Sequence, residues 1–113
     1  MKVFSLKDMY KGWFIGNFEP AAFKTENFEV GTIVHPKGSF WDTHYHKLAT
    51  EITYLVKGKM KICDTIVSEG EIFVIDPYEV ASPEFLEDCT VVVIKTPSVP
   101  GDKYVISDEN KPA

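Results

Sequence analysis

The stretch Gly38-Ser39-Phe40-Trp41-Asp42-Thr43-His44-Tyr45-His46-Lys47-Leu48-Ala49-Thr50-Glu51, running on through Ile52-Thr53-Tyr54-Leu55-Val56-Lys57 to Gly58, decides how this chain is read. Side chains two apart on a strand point to one face, so His44 and His46 project together. The residues Lys47–Thr50 are enough to turn the chain, after which Glu51 opens the next strand beside the two imidazoles. If Glu51 faces inward, period 2 sends Thr53 and Leu55 inward with it and puts Ile52 and Tyr54 on the opposite face. Two imidazoles and one carboxylate on one face are a ligand set for a divalent ion such as Fe, Mn, Zn, Ni or Cu, with positions left open. An HxH alone is common, and surface histidines are its ordinary explanation. The spaced glutamate and the glycines at either end of the stretch make this one more specific.

Outward from that stretch, short runs rich in β-branched and aromatic residues recur along the chain: Trp13–Phe18, Phe28–His35, Phe40–His46, Glu51–Val56, Lys59–Cys63, Glu71–Ile75 and Thr90–Thr96. Turn signals separate them, among them Pro36-Lys37-Gly38, Lys57-Gly58-Lys59, Ser68-Glu69-Gly70 and Asp76-Pro77. Short strands at this spacing predict an all-β sandwich or small barrel. Helical signal is confined to one turn over Lys7–Lys11, and Pro20–Thr25 reads as a short irregular piece. Pro97–Asp102 leaves the sheet, and residues 107–113 read as a loose tail.

The chain's 113 residues fit one domain. With 44% hydrophobic and 26% charged residues it has the composition of a folded protein rather than a disordered one. No apolar run approaches the roughly 20 residues of a membrane span, and the charged start MKVFSLKDMYKG does not read as a secretory signal. The expected setting is cytoplasmic, without a membrane partner. A net charge of −5 disfavours nucleic acid as a partner. All 12 basic residues are Lys, so the planar fork that grips carboxylates and phosphates at two points is missing. Cys63 and Cys89 lie among apolar neighbours and are expected to be reduced, buried small hydrophobes.

The pattern G-x5-HxH-x4-E-x6-G formed by Gly38, His44, His46, Glu51 and Gly58 resembles the first motif of the cupin superfamily, with all five landmarks at their spacings. Gly70–Pro77 resembles the opening of the second cupin motif, over residues 70–85; Tyr78 then stands where a turn glycine is usual, and Ala81 falls near the place of a fourth ligand histidine. The resemblance implies an all-β double-stranded β-helix, a jelly-roll barrel, with short N-terminal strands and little helix. It implies a divalent metal in the barrel on His44, His46 and Glu51, and a small-molecule ligand, a carbohydrate among the candidates. Dioxygenation, isomerisation and decarboxylation lie within the range of such proteins. The alternatives are a metal-independent isomerase or epimerase of sugars or nucleotide sugars, with His44 or His46 as general base, and a non-enzymatic binding module. Absence of Arg weighs against gripping a pyrophosphate.

Other candidates carry weaker expectations. Glu79 or Glu84 would replace the missing ligand only if the turn after Pro77 moved, and both read as solvated loop carboxylates. His35 reads as a surface or rim residue, and Lys95 as reaching solvent. Asp42 is placed to orient an imidazole, whereas Tyr45 is expected to pack on the outer face. Tyr54 reaches the pocket only if the register slips by one. Trp13, Phe14, Phe18, Phe23 and Phe28 are expected to cover a barrel mouth or a subunit interface, and a homodimer is the expected state.

Overall fold

The computed structural model describes residues 1–106; the tail expected to be loose lies outside them. The chain forms β1 (Trp13–Gly16), β2 (Phe23–Lys24), β3 (Glu29–His35), β4 (His44–Tyr45), β5 (Thr50–Lys57) and β6 (Lys59–Ile62). It continues with β7 (Thr65–Ser68), β8 (Ile72–Ile75), β9 (Pro83–Phe85), β10 (Cys89–Thr96) and β11 (Tyr104–Val105). A single 3-10 turn, Leu6–Asp8, is the only helical element among the described residues. The expected all-β architecture is present.

One wall is a six-stranded sheet in the order β2-β1-β3-β10-β5-β8. Facing it, β6 pairs with β7 and β9, and β11 pairs with β4. The run Phe40–His46, expected as one strand, is regular only at His44–Tyr45. It nevertheless pairs with residues 81–85 through the bridges Phe40–Glu84 and His44–Ala81. Pro83 explains the interruption, since it has no N–H to give the ladder. Four short strands, β2, β7, β9 and β11, were not apparent from the sequence; β9 starts at a proline, and β2 and β11 have only two residues each.

Between the walls lies a core of Leu55, Met60, Val67, Phe85, Cys89, Val91 and Val93. Alternation places these residues. On β10, Cys89, Val91 and Val93 are buried while Thr90, Val92 and Ile94 point the other way. On β5, Thr53 and Leu55 are buried and Tyr54 is exposed, as the period from Glu51 requires. The register does not slip, so Tyr54 stays outside.

The landmark glycine Gly58 has φ +101°, and a Cβ there would come within 2.5 Å of the Asp88 carbonyl oxygen. Any other residue would break the β5–β6 turn or push away the loop before β10. Tyr78, at the usual place of a turn glycine, keeps the left-handed conformation with φ 69°. A side chain is disfavoured there by about 1 kcal/mol. A hydrogen bond from Tyr78 N to the His46 carbonyl at 2.7 Å and stacking on Tyr45 at 6.1 Å hold the turn in place.

Two expectations about burial are corrected. Cys89 is fully buried, but Cys63 is exposed. The two-residue turn between Ile62 and Thr65 puts Cys63 at φ 53°, turned out of the core, with its thiol donating to the Val80 carbonyl. His35, expected at the surface, is 8% exposed because it ends an inward row on β3 and stacks on Phe85 at 4.0 Å.

Candidate functional site

A cavity of about 570 Å³ lies between the walls, lined by His44 and Glu51 among others. His44, His46 and Glu51 converge at its edge, with their ligand atoms all within 4.8 Å of one another. His44 comes from β4, Glu51 from β5, and His46 from the turn between them. His46 stands behind the other two, 3% exposed.

The two imidazoles are held from behind. His44 Nδ1 lies 2.7 Å from the Asp42 carbonyl oxygen, and His46 Nδ1 makes a short contact with the Asp102 carbonyl oxygen. A carbonyl oxygen only accepts, so each Nδ1 carries the proton and each Nε2 presents a lone pair. His46 Nε2 is buried without a hydrogen-bond partner. Glu51 Oε1 lies 3.4 Å from it, long for a hydrogen bond. Buried polar atoms are nearly always paired, so this one calls for an explanation.

An electron-pair acceptor at the site explains it. Two donors about 2.1 Å from one tetrahedral ion stand about 3.4 Å apart, which is the His46–Glu51 separation. Metal-binding imidazoles also characteristically donate their other N–H to a carbonyl or carboxylate. The three residues therefore fit a divalent ion. Burial pushes the His44 pKa below that of an ordinary imidazole, against the opposing pull of the Asp42 carbonyl. Burial would raise Glu51, but the His46 contact, Lys95 and the two imidazoles bring its carboxyl below the usual range. The His44 shift favours its lone-pair form.

Asp102, which the sequence reading did not single out, supports this arrangement. Its carboxylate accepts from the amides of Lys47, Leu48 and Ala49 at 3.0, 3.1 and 2.9 Å, fixing the turn that carries His46 towards Glu51. Burial alone would raise the Asp102 carboxyl; the three amide bonds bring it below its ordinary value. Residues after β10 leave the sheet as expected, but they return at Asp102 to back the site. Asp42 orients His44, but through its backbone carbonyl and not through the side chain, which is exposed.

Ala81 hydrogen-bonds across to His44 in both directions, 2.9 and 2.7 Å, and lines the cavity with a methyl group. Among the described residues no other His, Cys, Asp or Glu joins the three. Glu79 and Glu84 are both exposed; Glu79 accepts from the Asp76 amide, and Glu84 lies on β9 rather than in a loop. Tyr45 packs away from the site between Tyr78 and Tyr104. Of the N-terminal aromatics, Trp13 and Phe18 line the cavity, while Phe23 and Phe28 are exposed.

Lys95, expected to reach solvent, lines the cavity. It stands in register between Glu29 on β3 and Glu51 on β5, and cross-strand neighbours share a face. Glu29 was also missed; burial raises its pKa, with Lys95 opposing. The alternation Glu29-Val30-Gly31 carried that signal, but nothing local shows which face of β3 is inner.

No family profile and no curated protein matches the sequence. Solved structures do match in three dimensions. A double-stranded β-helix protein of Klebsiella pneumoniae superposes with TM-score 0.66 at 17% identity, over 72% of this chain and 71% of that one. An RmlC-like cupin of Desulfovibrio desulfuricans gives TM-score 0.59 at 17% identity, over 66% and 76%. The DMSP lyase DddQ of Ruegeria pomeroyi gives 0.69 at 14% identity over 86% of this chain, which spans only 51% of that longer protein. No helix among the described residues is long and apolar enough to cross a membrane. With its strand order, its facing walls and these structural likenesses, this chain has the double-stranded β-helix fold of the cupins.

Proposed function

We propose that this protein holds a divalent metal ion on His44, His46 and Glu51 and binds a small molecule in the adjoining cavity. The observation that carries the reading is the buried, unpartnered Nε2 of His46, bared by the Nδ1 contact to the Asp102 carbonyl. His44 is oriented in the same way from Asp42. Polarisation of a ligand oxygen by a Lewis acid is the chemistry such an ion supplies when bound. The chain's own contribution is to hold two lone pairs and a carboxylate on one side and leave the cavity side open, where Ala81 adds only a methyl.

Metal analysis of protein purified without a histidine tag tests this reading. Near-stoichiometric Fe, Mn, Ni, Cu or Zn, lost in His44→Ala, is the expected result. Metal content near zero after attempted reconstitution would overturn it. It would favour the metal-independent reading, a His44 or His46 base acting on a sugar, to which Ala81 also lends support by offering no fourth donor.

The homodimer remains part of the proposal. The outer face of the six-stranded sheet exposes Val34, Ile72 and Val74 at 70%, 63% and 55%, surface that a second copy would cover. Light scattering at micromolar concentration should give twice the chain mass; a monomer mass removes this part.

A further inference from the structure

The cavity carries charge opposite to that of the protein. The whole chain has a net charge of −5. The cavity, by contrast, is lined by the three lysines Lys11, Lys95 and Lys103 against the two glutamates Glu29 and Glu51. Lys95 Nζ lies over the Trp13 ring, 5.2 Å from its centroid, and Lys103 Nζ over the Trp41 ring, 4.5 Å from its centroid. Neither ammonium has an ion-pair partner among the described residues. Burial and then the neighbouring Lys95 lower the Lys103 pKa, the mark of two cations sharing one space. An aromatic face attracts a cation without neutralising it. Lys95 is also drawn to the Glu29 and Glu51 carboxylates across the strands, and Lys103 to Asp42 and Glu51. What the lining offers an anion is therefore its excess of one lysine over its glutamates. Gly31 makes the Lys95 arrangement possible: a Cβ there would come within 2.8 Å of the Trp13 ring.

The inner face of β3, β10 and β5 is graded in polarity. The row Glu29–Lys95–Glu51 is charged, the next is Gly31–Val93–Thr53, and the third, Ile33–Val91–Leu55, is apolar. Successive rows are about 6.8 Å apart. The charged row is therefore at the end at which Glu51 stands, an apolar row follows two steps on, and beyond it the wall ends at His35, which accepts from the Trp41 indole.

We infer that the ligand of this cavity is a small monocarboxylic acid with an apolar body. Its carboxylate sits between Lys95 and Lys103 beside the metal centre, and its hydrocarbon part lies over Val93, Val91 and Ile33. A volume of about 570 Å³ accommodates such a molecule. The inference rests on the metal-site reading for the position of the reacting end, but the lysines make the cavity cationic whether or not an ion is bound.

The test compares benzoate, 3-phenylpropionate and octanoate, each with its amide. The readout is the fluorescence of the only two tryptophans, Trp13 and Trp41, both of which lie under these lysines. Titrations are run on zinc-loaded and on EDTA-stripped protein. At least one acid should bind tenfold or more tighter than its amide. Lys95→Met and Lys103→Met, on separate segments, should each remove most of that preference while zinc stoichiometry stays unchanged; circular dichroism verifies that each variant is folded. Equal binding of every acid and its amide, or a preference that survives both substitutions, overturns the inference. Zinc binding without acid preference sinks the inference and leaves the metal centre standing. Acid preference in a protein that takes up no zinc supports the inference and sinks the metal centre.

Discussion

Two groups of histidines in this barrel are held in opposite ways. His44 and His46 donate from Nδ1 to backbone carbonyls and present bare Nε2 atoms to the site. His35, on the cavity wall formed by β3, accepts at Nδ1 from the Trp41 indole N–H at 3.1 Å. An indole nitrogen only donates, so the neutral His35 ring carries its proton on Nε2. One region is a partnered polar group sealed by stacking on Phe85; the other leaves a buried nitrogen unpaired. The contrast shows that burial does not make a ligand of an imidazole. The partner on its far nitrogen decides, because it fixes which nitrogen keeps a lone pair.

The largest effect that separates the two regions is on metal affinity. His46→Ala should weaken zinc binding more than about a hundredfold, since even supporting residues are worth about 10–100-fold. His35→Ala should leave affinity within about twofold. Competition with a chromophoric chelator measures both, and equal losses would erase the distinction. Next comes Asp102→Ala, which strips the three amides of the 47–49 turn of their acceptor. It should lower stability to urea by about 2–4 kcal/mol and weaken zinc about tenfold, although the carbonyl on His46 remains. Unchanged zinc affinity would mean that the turn does not position His46.

Trp41→Phe tests the other region. Losing the indole donor should cost about 1 kcal/mol and leave zinc binding unaltered; a loss of zinc would tie His35 to the metal centre after all. The smallest effect is on pH dependence. Burial lowers the His35 pKa. Below about pH 6.5 the unfolded chain therefore takes up a proton that the folded chain refuses, and stability falls with pH until the folded ring protonates too. Urea midpoints at about pH 7.5 and 5.5 should show His35→Gln with a shallower decline than the parent, by less than about 1 kcal/mol per pH unit. An identical slope would remove His35 as a contributor.

Much of the architecture is legible along the chain, for reasons that vary by segment. Runs such as Thr90–Thr96 and Glu51–Val56 became β10 and β5 because central strands buried on an inner face must alternate or stay apolar. Short edge pieces, β2 and β11, carry no such pattern, since two exposed residues leave no period to read. Cys63 and His35 were misjudged for one shared reason. Apolar or polar neighbours in sequence do not say which way a turn or a strand end faces.

By itself the sequence determined that His44 and His46 share a face, that Glu51 starts the following strand, and that Thr53 and Leu55 follow Glu51 inward. All of this is local, because period 2 and a short turn act over a few residues. Only the tertiary structure decided that Asp102, 56 residues from His46, would hold its ring. The same closure set Lys95 between Glu29 and Glu51 and gave His35 the opposite tautomer from its neighbours. Those partners are chosen by strand register and barrel closure, which depend on how distant segments pair and not on any pattern that one segment carries.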